Sequence, residues 1–65
     1  MKNYYYKIEW VNKATGYANE VKFETCEKMN ALLGVYFRLA SLITIFVKKS
    51  GKWVRLNSYS ISTNF

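Results

Sequence analysis

The stretch FVKKSGKWVRL, residues 46–56, sets two apolar alternations on either side of Ser50-Gly51 and places cations among them. A serine-glycine pair between alternating runs predicts a two-residue hairpin turn. That turn fixes a register: Lys49 faces Lys52, Val47 faces Val54 and Ile45 faces Leu56. The apolar pairs of this register form one face suited to burial. The other face then collects Trp53, Arg55, Asn57 and Tyr59 from one strand and Leu42, Thr44, Phe46 and Lys48 from its partner. Phe46 falls opposite Arg55 and Lys48 opposite Trp53, both suited to cation-π contact.

Upstream, SLITIFVK at 41–48 carries apolar side chains at both parities, which argues for a strand inside a sheet. Residues 4–11, YYYKIEWV, alternate with Tyr4, Tyr6, Ile8 and Trp10 on one side and Tyr5, Lys7 and Glu9 on the other. Residues 17–24, YANEVKFE, repeat the pattern, and the turn-rich segment from Asn12 to Gly16 joins the two runs. Pairing Val11 with Gly16 puts Tyr6 opposite Val21, Tyr4 opposite Phe23 and Lys7 opposite Glu20, so one register serves both faces.

From Thr25 the period becomes helical, with Cys26, Met29, Leu32, Leu33, Tyr36, Phe37 and Ala40 forming one apolar stripe. Thr25 suits the N-cap, and Glu27 suits the positive end of the helix dipole. Gly34 costs about 1 kcal/mol relative to alanine in a helix interior, which raises the expectation of a close approach there. Ala31, Gly34 and Val35, flanked by Asn30 and Arg38, mark the outward side as a second candidate surface.

The predicted architecture is α+β: a single domain over residues 1–65 with element order β-β-α-β-β. Strands at 4–11, 17–24, 41–48 and 52–59 build a four-stranded, mainly antiparallel sheet, and a helix at 25–39 packs on one face. Strand order does not follow from the sequence.

Composition narrows the function. Hydrophobic residues make up 51% of the 65 and aromatics 18%, too apolar for disorder. A domain this small buries only about 60% of its unfolded surface. The single cysteine, Cys26, excludes an intramolecular disulfide and is read as a buried, inert thiol on the apolar stripe. Self-association is the remaining reinforcement, so a homo-oligomer is expected. No run approaches the roughly 20 apolar residues of a spanning helix, and residues 1–20 lack the pattern of a signal peptide. The expected setting is therefore cytoplasmic, with no membrane partner.

The net charge of +6 is unevenly placed. Lys2, Lys7, Lys13 and Lys22 balance Glu9, Glu20, Glu24 and Glu27, whereas Lys28, Arg38, Lys48, Lys49, Lys52 and Arg55 follow with no acid among them. A basic second half points towards an acidic or phosphate-bearing partner.

The chain has no histidine, aspartate or proline. This removes Ser-His-Asp and Cys-His arrangements, histidine-ligated metals and paired-aspartate metal catalysis. Glycines 16, 34 and 51 form no phosphate-binding spacing. No catalytic, cofactor or metal residue is assigned, and a non-enzymatic binding protein is expected. With one helix for one face, the aromatic-basic face lacks cover, and Phe46, Lys48, Trp53, Arg55, Tyr59 and Leu42 are the expected partner-binding residues. Lys49, Lys52 and Arg38 are the expected contacts to phosphate or to an acidic partner.

Three occupants suit that face: a second copy of the chain, with the aromatics as dimer core; a protein target acted on by an interaction or inhibitor module; and, as the alternative, a nucleic acid or nucleotide stacked on the aromatics. RNA-recognition motifs use such a sheet, but their glycine-aromatic signature strand and element order are missing. In length, in its richness in Lys, Asn and Tyr, and in its lack of chemistry-bearing residues, the chain is similar to small proteins of phages and mobile elements of AT-rich bacteria. That resemblance, one of composition, implies inhibition of a host enzyme by binding.

Overall fold

The computed structural model describes residues 3–60. Strands β1 (Tyr6–Asn12) and β2 (Ala18–Phe23) form the first hairpin, α1 (Cys26–Leu39) follows, and β3 (Ala40–Lys49) and β4 (Lys52–Ser60) form the second. All pairings are antiparallel in a four-stranded sheet of order β2-β1-β3-β4, giving a small α+β domain. β2 and β3 therefore run parallel on either side of β1. Parallel strands cannot be joined by a tight turn, and α1 supplies the crossover.

Local chemistry sets the elements. Thr25 is the N-cap: its Oγ1 accepts from the Lys28 N–H at 3.2 Å, with Glu27 in the first turn and Arg38 in the last. The β3–β4 turn places Ser50 at φ 51° and Gly51 at φ 77°. Two consecutive left-handed residues match the twist of a two-residue hairpin, and glycine takes the second without cost.

The first hairpin closes differently from the expectation. The Asn12 N–H donates to the Tyr17 carbonyl at 2.9 Å, and Asn12 Oδ1 accepts from the N–H groups of Ala14 (2.8 Å) and Thr15 (3.2 Å). The side chain of Asn12 thus builds its own turn, and Val11 pairs with Ala18 rather than with Gly16. The register moves by two residues, so Tyr6 faces Phe23, Ile8 faces Val21 and Lys7 faces Lys22, not Glu20. A shift of two preserves the faces.

The core lies between α1 and one sheet face: Ile8, Phe23, Met29, Ala40, Ile43 and Ile45 are buried, with Tyr6, Trp10, Val21, Leu33, Tyr36 and Phe37 packed around them. Trp10 meets Tyr36 at 5.2 Å between ring centroids. The helix packs on β1, β2 and β3 and reaches β4 through the edge of Phe37 against Tyr59, at 5.4 Å. Its buried stripe is narrower than the sequence suggested. Leu32 is 44% exposed, and Cys26 is exposed rather than buried, with Asn30 Nδ2 donating to its sulfur at 3.5 Å. Cys26 is the first helical residue, before the helix has crossed onto the sheet. A Cβ at Gly34 would meet no atom of the described residues within 4 Å, so no close approach among them explains that glycine.

A bulge shapes β4. Lys49 faces Lys52, Val47 faces Val54 and Phe46 faces Arg55 as the turn requires, but Ile45 then faces Asn57 instead of Leu56. Leu56 is the extra residue of the bulge. Every position after it changes face relative to simple alternation.

Candidate aromatic-basic sheet face

The sheet face away from α1 is built in rows across the strands, because antiparallel register aligns side chains of one parity. One row, in the order β2-β1-β3-β4, is Lys22, Lys7, Phe46 and Arg55. The next row along the strands is Glu20, Glu9, Thr44 and Ser58, and beyond it lie Ala18, Val11, Leu42 and Ser60. On the other side of the cationic row Lys48 faces Trp53. Tyr5 continues β1 there, donating to the Phe23 carbonyl (3.0 Å) and accepting from the Lys48 N–H (2.7 Å).

Like charges stand opposite each other twice, Lys7 against Lys22 and Glu9 against Glu20, which alone would destabilise the β1–β2 pair. Lys7 resolves the conflict by turning towards β3. Its ammonium lies 4.6 Å from the centroid of Phe46 and 4.9 Å from that of Trp53, and 3.1 Å from Glu9 Oε2. The whole residue is only 9% exposed. Two ring faces and a carboxylate replace the water that a buried ammonium loses. The Lys48 ammonium lies over the same indole at 5.6 Å.

The expected site residues divide. Phe46, Lys48, Trp53 and Arg55 do gather, and Leu42 lies on the same face, separated from them by the Thr44–Ser58 row. Tyr59 does not join them: the bulge turns it to the helix side, opposite Ile43 and against Phe37. Asn57, expected on this face, likewise pairs with Ile45 on the other. Lys49 and Lys52 flank the turn with the parity of Val47 and Val54. Arg38 lies on α1, on the far side of the sheet. Thus the basic second half does not form one surface.

Sequence reasoning missed Lys7, Lys22 and Tyr5. The alternation placed Lys7 away from the core, but only the adjacency of β1 and β3 brings it to Phe46, and no local signal encodes that adjacency. At this end of the face Tyr5, Lys22, Lys48 and Trp53, with Asn3, Tyr4, Ser50 and Gly51, line an open cleft of about 380 Å³. Among the described residues no group of His, Cys, Asp or Glu side chains is placed to hold a metal ion, and no helix is long and apolar enough to cross a membrane. The chain matches no protein-family model, no curated protein and no solved structure.

Proposed function

We propose that the chain is a non-enzymatic, cytoplasmic binding module that docks on an acidic surface of a larger protein and blocks or regulates it. The docking surface is the basic end of the open face. The observation that carries this reading is the clamp on Lys7. With that side chain held between Phe46 and Trp53, the end presents Lys22, Lys48 and Arg55 around a rigid aromatic floor. A preorganised cationic surface loses little side-chain entropy on binding, and aromatic and arginine side chains are favoured at interface centres.

The clamp also favours protein over nucleic acid. Bases stack on free π-faces, and here both rings of the pair already carry an ammonium of the same chain. Carboxylates need no free ring.

The test compares two labelled probes, a Glu-rich peptide of about ten residues and an oligothymidine of similar charge, by anisotropy from about 50 mM salt upward. The peptide should bind, with affinity falling as salt rises, and Lys22→Glu with Arg55→Glu should abolish binding. Absence of peptide binding at the lowest salt would overturn the proposal. So would tighter oligothymidine binding that quenches the Trp53 fluorescence.

A further inference from the structure

The outer surface of α1 carries a pattern independent of the sheet face. At roughly 100° per residue, Met29, Leu33, Tyr36 and Phe37 point to the sheet, and Phe37 marks the flank facing β4. Leu32, Val35 and Leu39 fall on the opposite flank, and they are 44%, 41% and 44% exposed. Along the outermost line beside this flank lie Glu27, Ala31 and Arg38, with Glu27 in the first turn and Arg38 in the last. Large apolar side chains grouped on the outside of a small domain point to an unmet contact.

We propose that this helix face pairs with the same face of a second copy, the two helices running antiparallel about a two-fold axis near the helix midpoint. Such an axis carries each rim of the face onto the same rim of the partner. On one rim, Glu27 near the start of one helix then meets Arg38 near the end of the other, and Arg38 meets Glu27 in return. In the middle Ala31 sits beside Val35, and on the second rim Leu32 meets Leu32 of the second copy next to the axis, burying exposed area on both. Neither Glu27 nor Arg38 has an ion-pair partner among the described residues. About 16 Å of helix rise separates them, so they cannot pair within one helix. Lys28 falls on the apolar flank between Val35 and Leu39, and there Glu24 neutralises it at 3.2 Å. The opposed helix dipoles add to the match.

The occupant is a second copy because the face is complementary to itself. Both charges needed are present once each, at positions that an antiparallel two-fold superimposes. A helix of 14 residues offers a contact strip about 21 Å long, burying of order 400 Å² per copy, at the weak end of specific interfaces. The dimer therefore exchanges, with dissociation in the tens of micromolar range, roughly. The open sheet face stays free in it.

The test is sedimentation equilibrium of the intact chain from about 5 to about 500 µM. The parent should pass from monomer to dimer. Arg38→Glu should weaken dimerisation about tenfold or more by opposing two carboxylate pairs, and Val35→Glu should abolish it. The exchange Glu27→Arg with Arg38→Glu should restore most of the lost affinity, and Trp53→Leu should leave it unchanged. Circular dichroism of each variant establishes that the fold is kept. A parent that stays monomeric throughout, or a dimer untouched by Arg38→Glu and Val35→Glu, would overturn the proposal. Peptide binding by the sheet face in either case is a separate result.

Discussion

Replacing Lys7 with methionine isolates the ammonium, because the apolar stem stays nearly the same length. Two opposing terms decide the outcome. The charge is desolvated, as the side chain is only 11% exposed, and burying an ion costs several kcal/mol unless it is well compensated. Against this stand two ring contacts at 4.6 and 4.9 Å, each worth about 1 to 2 kcal/mol at a desolvated site. The Glu9 partner at 3.1 Å is half exposed and adds at most about 1 kcal/mol. Because three compensating groups converge on one ammonium, Lys7→Met should lose about 1 to 2 kcal/mol net. For a domain of this size that is a fall in Tm of roughly 7 to 15 °C. Lys7→Ala removes most of the stem as well and should cost about 2 kcal/mol more. Urea denaturation followed by Trp fluorescence measures both. A double-mutant cycle of Lys7→Met with Trp53→Leu should give a coupling of about 1 to 2 kcal/mol. A Lys7→Met variant as stable as the parent, or more so, would refute the claim that the cation organises this face.

Other perturbations probe the frame. Deletion of Leu56 leaves Phe46 opposite Arg55 and Ile45 opposite Asn57, so the variant should fold within about 1 kcal/mol of the parent and keep the Phe37–Tyr59 contact. An unfolded product, or Tyr59 moved to the open face in its NMR contacts, would contradict the bulge assignment. Ser50→Asn, at φ 51° beside Gly51, should raise stability by roughly 0.5 kcal/mol in thermal melts, since asparagine accepts the left-handed region and favours this turn. Gly34→Ala adds a Cβ where no atom lies within 4 Å, and should stabilise the helix by about 0.5 to 1 kcal/mol. A destabilised Gly34→Ala chain would show that the glycine serves a close contact after all.

How far the sequence was legible tracks how local each determinant is. Ser50-Gly51 admits one closing pair, so the second hairpin was readable from Lys49–Lys52 to Phe46–Arg55. Past Arg55 the strand lengthens by Leu56, and Tyr59 turns to meet Phe37. That contact joins residues on different elements, and alternation cannot anticipate it. The first hairpin failed for a different reason. Composition located the turn, but the Asn12 side chain competes for the N–H groups of Ala14 and Thr15 and decides where pairing ends. The apolar stripe extends beyond the buried one at Cys26 and Leu32, because periodicity reports which residues share a side, and not where the sheet beneath them stops.

The two candidate surfaces differ in the same respect. The Lys7 clamp exists only because β1 lies beside β3, so the aromatic-basic face depends on the tertiary fold, and its cations are held apart by strands rather than clustered in sequence. The helix face is the reverse: Glu27, Ala31, Val35 and Arg38 recur at helical spacing and need only a helix to be displayed together. They lie on opposite layers of the domain, so a pair joined through α1 would present two basic sheet ends facing outward. An acidic partner with repeated sites would then be held with an effective concentration of millimolar order, roughly, at the second end. Weak dimerisation and weak single-site docking would then reinforce each other. Arg38→Glu should accordingly lower affinity for a bivalent acidic probe while leaving a monovalent peptide unaffected, and equal losses on both probes would place Arg38 in the docking surface itself.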